Sequence, residues 1–397
     1  MTDMKGSVEP FRVAFDAAEI DDLRARLRAT RWPERETVDD WSQGAPLAFV
    51  QDLAEYWCNE YDFDAAAARM NAWPQFTTRV DDLSIHFVHA RSPEPGALPL
   101  VITHGWPGTY VEFLDVIGPL TDPVAHGGAA RDAFHVVCPS LPGFGFSDRP
   151  STSGRGLPWI AGSWAELMAR LGYERYGAQG GDWGSAATCI LGELDREHVV
   201  GIHVNMPTVM LAPPGDDTTE QERRNFDDFA WHQQWGTGYQ HLQATRPQTL
   251  GYGLVDSPVG QLAWVVEKFW AWTDCGSIRH GGDPYTIFTR DQLLDNATVF
   301  WCTATGASSG RLYWESAGPA AMADPANAEV LRMGEITVPT GCSIFPRELR
   351  RPSRRQAETR FTNLHYWNEP EKGGHFAAFE QPELFVDEVR ASFRTLR

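Results

Sequence analysis

Closely spaced cysteines and long apolar runs are both missing from this sequence. Its six cysteines are scattered along 397 residues without a C-x-x-C pair, so we expect neither a disulfide framework nor a cysteine-rich metal centre. No apolar run reaches the length of a transmembrane helix, and the first residues lack the apolar segment of a signal peptide. We therefore expect a cytoplasmic protein in a reducing compartment.

Basic residues are outnumbered by acidic ones. The chain has 34 Lys and Arg against 53 Asp and Glu, which gives a formal net charge of −19. A strongly acidic protein repels nucleic-acid phosphates and anionic membranes, so neither is expected as a partner. The composition leaves the oligomeric state open, with a homodimer as one alternative.

The hydrophobic pattern divides the chain into segments. We expect a helical extension over residues 1–80, two parts of an α/β core over 81–206 and 326–397, and a mainly helical lid over 207–325. The core contains short apolar runs, which are typical of strands buried on both faces of a mostly parallel sheet. An insertion in such a sheet is expected over the carboxyl ends of the strands, where ligands bind. Strands are predicted near 83–89, 98–103, 134–138, 173–179, 199–204, 336–345 and 361–367, and helices near 46–59, 63–71, 185–193 and 383–395, besides a helix capped by Asp16.

Aromatic residues are abundant, tryptophan above all. The chain has 16 Trp, and they are crowded between Trp231 and Trp314, within the expected lid. Large aromatic side chains fill protein cores, but they also line pockets for apolar ligands. The crowding favours a pocket or lid role for this segment, with core packing as the alternative.

The stretch Gly180-Gly181-Asp182-Trp183-Gly184 has a small residue two positions before and after Asp182. This spacing is typical of a nucleophile elbow, a tight turn between a strand and a helix that projects its middle side chain at the top of a sheet. A helix N-terminus at this point favours a carboxylate. Because the stretch lies between a predicted strand and a predicted helix, Asp182 is the candidate nucleophile.

A second loop, His104-Gly105-Trp106-Pro107-Gly108, directly follows an early predicted strand. In this position the backbone N–H of Trp106 can point at a developing oxyanion, with the N–H of Trp183 as its partner. An ordinary turn between a strand and a helix is the alternative. The two amides are the predicted oxyanion hole.

The candidate base is His375, in a glycine-flanked loop between the last predicted strand and the last helix. A loop of this kind lets an imidazole turn toward both a nucleophile and a water molecule. The order nucleophile, acid, histidine is that of α/β-hydrolase triads. The acid is expected after the strand that ends near Phe345, which selects Glu348, with Glu358 and Glu369 as alternatives.

Together these motifs resemble the microsomal-type epoxide hydrolases, over nearly the whole chain. That family includes juvenile-hormone epoxide hydrolases and soluble fungal and bacterial relatives, and this sequence is most similar to the soluble members because it shows no apolar anchor at its start. The residues that carry the resemblance are His104-Gly-Trp-Pro107, Gly181-Asp-Trp-Gly-Ser185, Phe345-Pro-Arg-Glu-Leu349 and Gly374-His-Phe-Ala-Ala-Phe-Glu380, together with Asn71-Ala-Trp-Pro-Gln-Phe-Thr77.

The resemblance implies an α/β-hydrolase fold and two lid tyrosines that hold the epoxide oxygen. One matches Tyr239 and the other most resembles Tyr313, while Tyr252 and Tyr285 are the competing candidates. It also implies a mechanism in which Asp182 attacks the epoxide and forms an ester, which water then hydrolyses to a vicinal diol. The expected partners are a small-molecule epoxide, bulky or aryl, and water; the chemistry needs no cofactor and no metal.

Two other functions fit parts of the pattern. A haloalkane dehalogenase uses the same aspartyl ester but holds a halide with indole or amide N–H groups, and Trp106 and Trp183 could donate these. A catalytically silent small-molecule receptor could share the fold, but such a protein tends to lose a triad residue, and here all three are present. The resembling family itself includes both detoxification enzymes and natural-product tailoring enzymes.

Overall fold

The computed structural model describes residues 6–277, 281–323 and 334–397. Among these residues, nine strands form one sheet in the order β1-β2-β3-β5-β4-β6-β7-β10-β11, and β8 pairs only with β9. The strands are β1 (Val8–Phe11), β2 (Gln75–Val80), β3 (Leu83–Ala90), β4 (Leu98–Thr103), β5 (Phe134–Pro139), β6 (Tyr176–Gly180), β7 (Val199–Val204), β8 (Gly276–Ser277), β9 (Gly281–Gly282), β10 (Thr340–Ser343) and β11 (Leu364–Asn368).

Most strands of the sheet are parallel. The six strands from β5 to β11 in the sheet order pair in parallel, whereas β1, β2 and β3 run antiparallel at one edge. The central strands β4 and β5 are buried at all but one position each, because helices cover both faces of the sheet. The predicted mostly parallel α/β sheet is confirmed.

Helices connect the strands and form the insertion between β7 and β10. In the described part of the chain, no helix is both long and apolar enough to cross a membrane. The helices are α1 (Ala17–Arg28), α2 (Leu47–Asn59), α3 (Phe63–Met70), α4 (Leu114–Thr121), α5 (Leu157–Arg170), α6 (Asp182–Leu194), α7 (Glu220–Trp235), α8 (Gly238–Thr245), α9 (Pro247–Asp256), α10 (Pro258–Ala271), α11 (Arg290–Cys302), α12 (Gly306–Ala317), α13 (Pro319–Ala323), α14 (Arg354–Ala357), α15 (Ala377–Glu380) and α16 (Pro382–Phe393).

Several element predictions needed correction. The segment 1–80, predicted as helical, also contains the strands β1 and β2; β1 has only four residues and lies at the sheet edge, where Pro10 is tolerated although it donates no hydrogen bond. The strand predicted over 336–345 is limited to β10, because Pro339 precedes it and cannot donate to a ladder. The segment boundaries at 80 and 206 stay predictions, and the one at 325 lies outside the described residues.

Two residues of the N-terminal segment bind Asp295 of α11, which lies in the insertion between β7 and β10. Its buried carboxylate accepts hydrogen bonds from the Tyr61 hydroxyl at 2.6 Å and from Nη2 of Arg69 at 2.7 Å. The next residue, Asn296, donates from Nδ2 to the carbonyl oxygen of Pro107 at 2.9 Å. A chain of polar contacts therefore runs from the extension through the lid to the loop that follows β4.

The end of β4 and the first turn of α6 approach each other closely. A Cβ atom at Gly184 would overlap the backbone carbonyl oxygen of Thr103, and one at Gly180 would overlap the carbonyl oxygen of Gly184. Both obstacles are backbone atoms, which cannot move aside as a flexible side chain can. Glycine at these positions is therefore what allows the strand to turn so sharply into α6.

We predict that Gly184→Ala lowers the free energy of unfolding by about 1–3 kcal/mol or more, because the added methyl group forces the backbone apart. The matched control is Gly162→Ala in α5, where the new Cβ would meet only Leu194, at 3.9 Å. That change should stabilise the protein by about 0.8–1 kcal/mol, since alanine is the better helix former. Urea unfolding of both variants checks the prediction, and a Gly184→Ala protein as stable as the original chain would contradict it.

Candidate active site

Asp182 is the first residue of α6, and its backbone is in the left-handed region. Its φ of +50° costs a residue with a side chain about 1–3 kcal/mol. The helix was predicted to begin at 185 but begins three residues earlier, so the carboxylate lies at the helix N-terminus, where the dipole favours a negative charge. The backbone N–H of Trp106 donates to its Oδ1 at 2.9 Å.

His375 lies between Asp182 and Glu348. Its Nδ1 is hydrogen-bonded to Oε1 of Glu348 at 2.7 Å, and its Nε2 lies 3.4 Å from Oδ2 of Asp182 in an ion-pair contact. The Glu348 carboxylate is fully buried and also accepts the backbone N–H of Leu349 at 2.6 Å. The structure thus brings together the three side chains that the sequence motifs selected.

The charge of the His375 imidazole is set by its two carboxylate neighbours. Burial alone would lower the pKa of His375. The negative charges and hydrogen bonds of Glu348 and Asp182 raise this pKa by more than burial lowers it, so the net pKa is well above the usual value. The imidazolium form is therefore favoured while Asp182 is ionised. Loss of the Asp182 charge would remove one of the contributions that raise this pKa.

The loop that carries His375 is fixed by Glu380, a residue that sequence reasoning did not select although it lies in the same motif. Its carboxyl group accepts the backbone N–H groups of Phe376 at 2.9 Å and Asp274 at 2.8 Å. The backbone N–H of His375 donates to the carbonyl oxygen of Trp272 at 2.9 Å. Burial raises the pKa of Glu380 to about 8. These contacts orient the imidazole toward Asp182.

The two selected phenols, Tyr239 of α8 and Tyr313 of α12, both reach the pocket that contains Asp182. The Tyr239 ring stacks on Trp106 with centroids 5.0 Å apart, and the Tyr313 ring meets Trp183 edge-on at 4.8 Å. Burial raises the pKa of both phenols, and the Asp182 carboxylate adds to the effect. Both side chains therefore remain protonated donors near the carboxylate.

The competing candidates lie elsewhere. Tyr252 is 72% exposed, and the Tyr285 hydroxyl donates to Asp52 at 2.9 Å. Glu358 pairs with Arg354 on the surface. Glu369 accepts hydrogen bonds from Gln221 and Trp367. Among the described residues, Glu348 is the one acid besides Asp182 that forms an ion-pair contact with His375.

A cavity of about 260 Å³ lies beside Asp182. Its aromatic wall is made of Trp183, Phe229, Tyr239 and Tyr313. Tryptophans of the lid were expected here, but Trp231, Trp235 and Trp270 line a different cleft, and Trp272 packs edge-on against His375 with centroids 5.0 Å apart. The pocket is therefore aromatic, but none of Trp231, Trp235, Trp270 and Trp272 lines it.

A second, much smaller cavity of about 20 Å³ also borders Asp182. Asp182, His375 and Glu112 line it, and Oε1 of Glu112 has no hydrogen-bond partner among the described residues. Burial raises the pKa of Glu112 to about 8, and the Asp182 charge acts in the same direction. The sequence contained no signal for Glu112 beyond its place shortly after the Trp106 loop.

Comparison with known proteins places the chain in a family. Residues 8–113 match the family model described as "Epoxide hydrolase N terminus", and residues 99–234 match the "alpha/beta hydrolase fold" model. A Stigmatella aurantiaca protein named "Putative epoxide hydrolase" is 51% identical, with 98% of this chain and 86% of that protein aligned. Epoxide hydrolase 1 of Sus scrofa is 34% identical over 97% of this chain and 88% of its own length.

A solved structure agrees with these relatives. The crystal structure of juvenile hormone epoxide hydrolase from Bombyx mori superposes with a TM-score of 0.88 at 29% identity, covering 99% of this chain and 95% of that one. The fold and the relatedness that the motifs predicted are thus confirmed. The chain belongs to the epoxide hydrolase family of α/β-hydrolase-fold enzymes.

Proposed function

We propose that this epoxide hydrolase converts its substrate to a vicinal diol through a covalent ester on Asp182. The observation that carries the proposal is the position of the Asp182 carboxylate. It lies between the Trp106 amide at 2.9 Å and the His375 imidazole at 3.4 Å, and it forms part of the wall of the pocket that holds two buried phenols. A carboxylate suits this chemistry because an ester can be hydrolysed, whereas the ether that a serine would form cannot.

In the first step, Oδ2 of Asp182 attacks one ring carbon of the epoxide. The Trp106 amide occupies Oδ1, which leaves Oδ2 as the attacking atom. The C–O ring bond breaks, and its electron pair remains on the epoxide oxygen, which takes a proton from Tyr239 or Tyr313. General acids at a leaving oxygen contribute about 10²–10⁴-fold to a rate, and the raised pKa values of both phenols keep the protons available.

In the second step, His375 takes a proton from water, and the resulting hydroxide attacks Cγ of Asp182. The tetrahedral intermediate collapses with cleavage of the Cγ–Oδ2 bond, and the diol leaves with Oδ2 and the proton from His375. The Asp182 carboxyl group then loses the proton of the former hydroxide, which restores the tyrosine that donated in the first step.

The Trp106 amide already contacts Oδ1, the atom that would carry the negative charge of the tetrahedral intermediate. Trp183 is the second residue of α6, and the first backbone N–H groups of a helix have no partner within the helix. The Trp183 amide is therefore the proposed second donor to this oxyanion. Ester formation removes the Asp182 charge, so the pKa of His375 falls at the stage where it must act as a base.

The small cavity is the proposed site of the hydrolytic water. Its volume of about 20 Å³ is sufficient for one water molecule. His375 and Glu112 both line it, and Oε1 of Glu112 has no hydrogen-bond partner among the described residues, so a water there would have the base and a second polar residue beside it.

One observation favours the dehalogenase alternative. The indole N–H of Trp183 is buried and has no hydrogen-bond partner among the described residues, so it could donate to a halide. The epoxide hydrolase family and the two phenols favour the epoxide reaction instead. The aromatic wall of the pocket supports a bulky apolar or aryl epoxide as substrate.

We predict that Asp182→Ala forms neither ester nor diol, because the attacking oxygen is gone. His375→Gln should form the ester and fail to hydrolyse it. Intact-protein mass spectrometry after brief incubation with an aryl epoxide would then show a mass increase equal to the epoxide in the His375 variant alone. Asp216→Ala, at an exposed position, is the control and should turn over normally. Full diol production by the Asp182 variant would rule out the mechanism.

We also predict that the phenols act in the first step. Tyr239→Phe combined with Tyr313→Phe should slow ester formation by about 10²–10⁴-fold and leave hydrolysis of a preformed ester nearly unchanged. Rapid-quench kinetics under single-turnover conditions separates the two rates. Tyr252→Phe, at an exposed position, is the matched control. An unchanged rate of ester formation in the double variant, with turnover of a haloalkane, would favour the dehalogenase alternative.

A further inference from the structure

Two arginines, Arg350 and Arg360, line the pocket that contains Asp182. The guanidinium of Arg350 lies over the Phe229 ring, 5.1 Å from its centroid. In the described part of the chain Arg350 has no ion pair and no hydrogen-bond acceptor, although a guanidinium carries five donors. A positive charge with unused donors therefore borders an otherwise largely apolar cavity.

The other arginines near Arg350 in the sequence are paired with acidic residues. Each has a carboxylate partner: Arg347 pairs with Asp274, Arg351 with Asp228, Arg354 with Glu358, and Arg355 with Glu222 and Asp217. In a chain with 53 acidic residues and 34 basic ones, carboxylates are not scarce. The lack of a partner at the pocket thus distinguishes Arg350 from its neighbours.

Arg360 is bound only to neutral groups in the described part of the chain. Nε donates to the carbonyl oxygen of Gly334 at 3.1 Å, and Nη1 donates to the backbone and hydroxyl oxygens of Thr208. The side chain is buried, and a buried charge is costly unless an opposite charge compensates it. These contacts fix the orientation of Arg360 without neutralising it.

The two positive charges act on each other. Burial lowers the pKa of Arg350, and the charge of Arg360 lowers it further, while Glu348 opposes the effect. His232, which also lines the pocket, adds no charge at neutral pH, because burial lowers its pKa to about 4. An anion placed at this wall would relieve the repulsion between the two guanidinium groups.

Helix α6 carries Asp182 and continues along the wall of the same pocket. Ile190 follows Asp182 by about two turns of α6, on the order of 12 Å along the helix. Ala186 and Ile190 both line the cavity, so its wall extends that far from the reactive carboxylate.

We propose that this pocket binds an epoxide that carries a carboxylate at the far end of an apolar body, with the carboxylate held by Arg350 and Arg360. The inference rests on the proposed function, because Asp182 must attack the ring at the other end. A guanidinium matches a carboxylate in a bidentate geometry. The lining by Ile190, Ala186 and Phe229 suits the apolar part of such a molecule.

The test compares undecanoic acid bearing a terminal epoxide with its methyl ester. These two substrates share the reactive ring and the apolar chain and differ only in charge. The unmodified enzyme should show a KM at least tenfold lower for the acid. Arg350→Met should raise the KM for the acid by about 10–100-fold, the range expected when a charged hydrogen bond is lost. The same substitution should leave KM and kcat for the ester within about twofold of the values of the unmodified enzyme.

Two further variants separate the carboxylate site from other roles. Arg350→Lys should restore part of the preference for the acid, because it keeps the charge without the planar fork. Arg354→Met removes a neighbouring surface arginine and should leave KM and kcat unchanged for both substrates. If Arg350 acted only by holding Glu348, Arg350→Met would lower kcat equally for both substrates, and that result would overturn the proposal, as would a preference of the unmodified enzyme for the ester.

A binding measurement keeps this inference distinct from the proposed function. The product diol acid and the diol methyl ester can be titrated into the protein by calorimetry, which requires no chemistry at Asp182. Tighter binding of the acid, lost in Arg350→Met, supports the carboxylate site even if neither epoxide forms an ester, a failure that would count against the proposed function alone. Equal binding of the two diols would overturn the carboxylate site.

Discussion

The active site depends on one constrained turn, at which β6 passes directly into α6. Asp182 is held with a φ of +50°, a conformation that persists only where the surrounding structure enforces it. The enforcement comes from backbone packing, since Gly180 and Gly184 leave no room for a Cβ atom. The result is a carboxylate at a helix N-terminus, with one oxygen on the Trp106 amide and the other facing His375.

Distant parts of the chain keep the partners of this carboxylate in place. Asn296 of α11 holds the loop that carries Trp106. Its neighbour Asp295 is bound by Tyr61, between α2 and α3, and by Arg69 of α3. Glu380 fixes the loop of His375. The extension, the lid and the C-terminal loop thus act on one site, although they are far apart in sequence. Such polar contacts limit the freedom that would otherwise misplace a reacting group.

Short motifs predicted much of the site, because the turn chemistry of Gly180–Gly184 and the order of Asp182, Glu348 and His375 are local features of the sequence. The sequence could not reveal those residues of the site that matter because they lack a hydrogen-bond or ion-pair partner. Glu112 and Arg350 are ordinary charged residues in the sequence, and only their surroundings show that they lack hydrogen-bond or ion-pair partners among the described residues. The edge strand Val8–Phe11 was missed for a related reason, since its pairing with β2 is a tertiary contact that a four-residue pattern cannot indicate.

The central claim is that water attacks the ester carbonyl of Asp182 and not the epoxide itself. A single turnover in water enriched in oxygen-18, with enzyme in excess, tests it most directly. The account predicts that the first diol released is unlabelled and that the label appears in the peptide containing Asp182, because the diol takes its new oxygen from the carboxylate. Label in the first diol, with none in that peptide, would contradict the account.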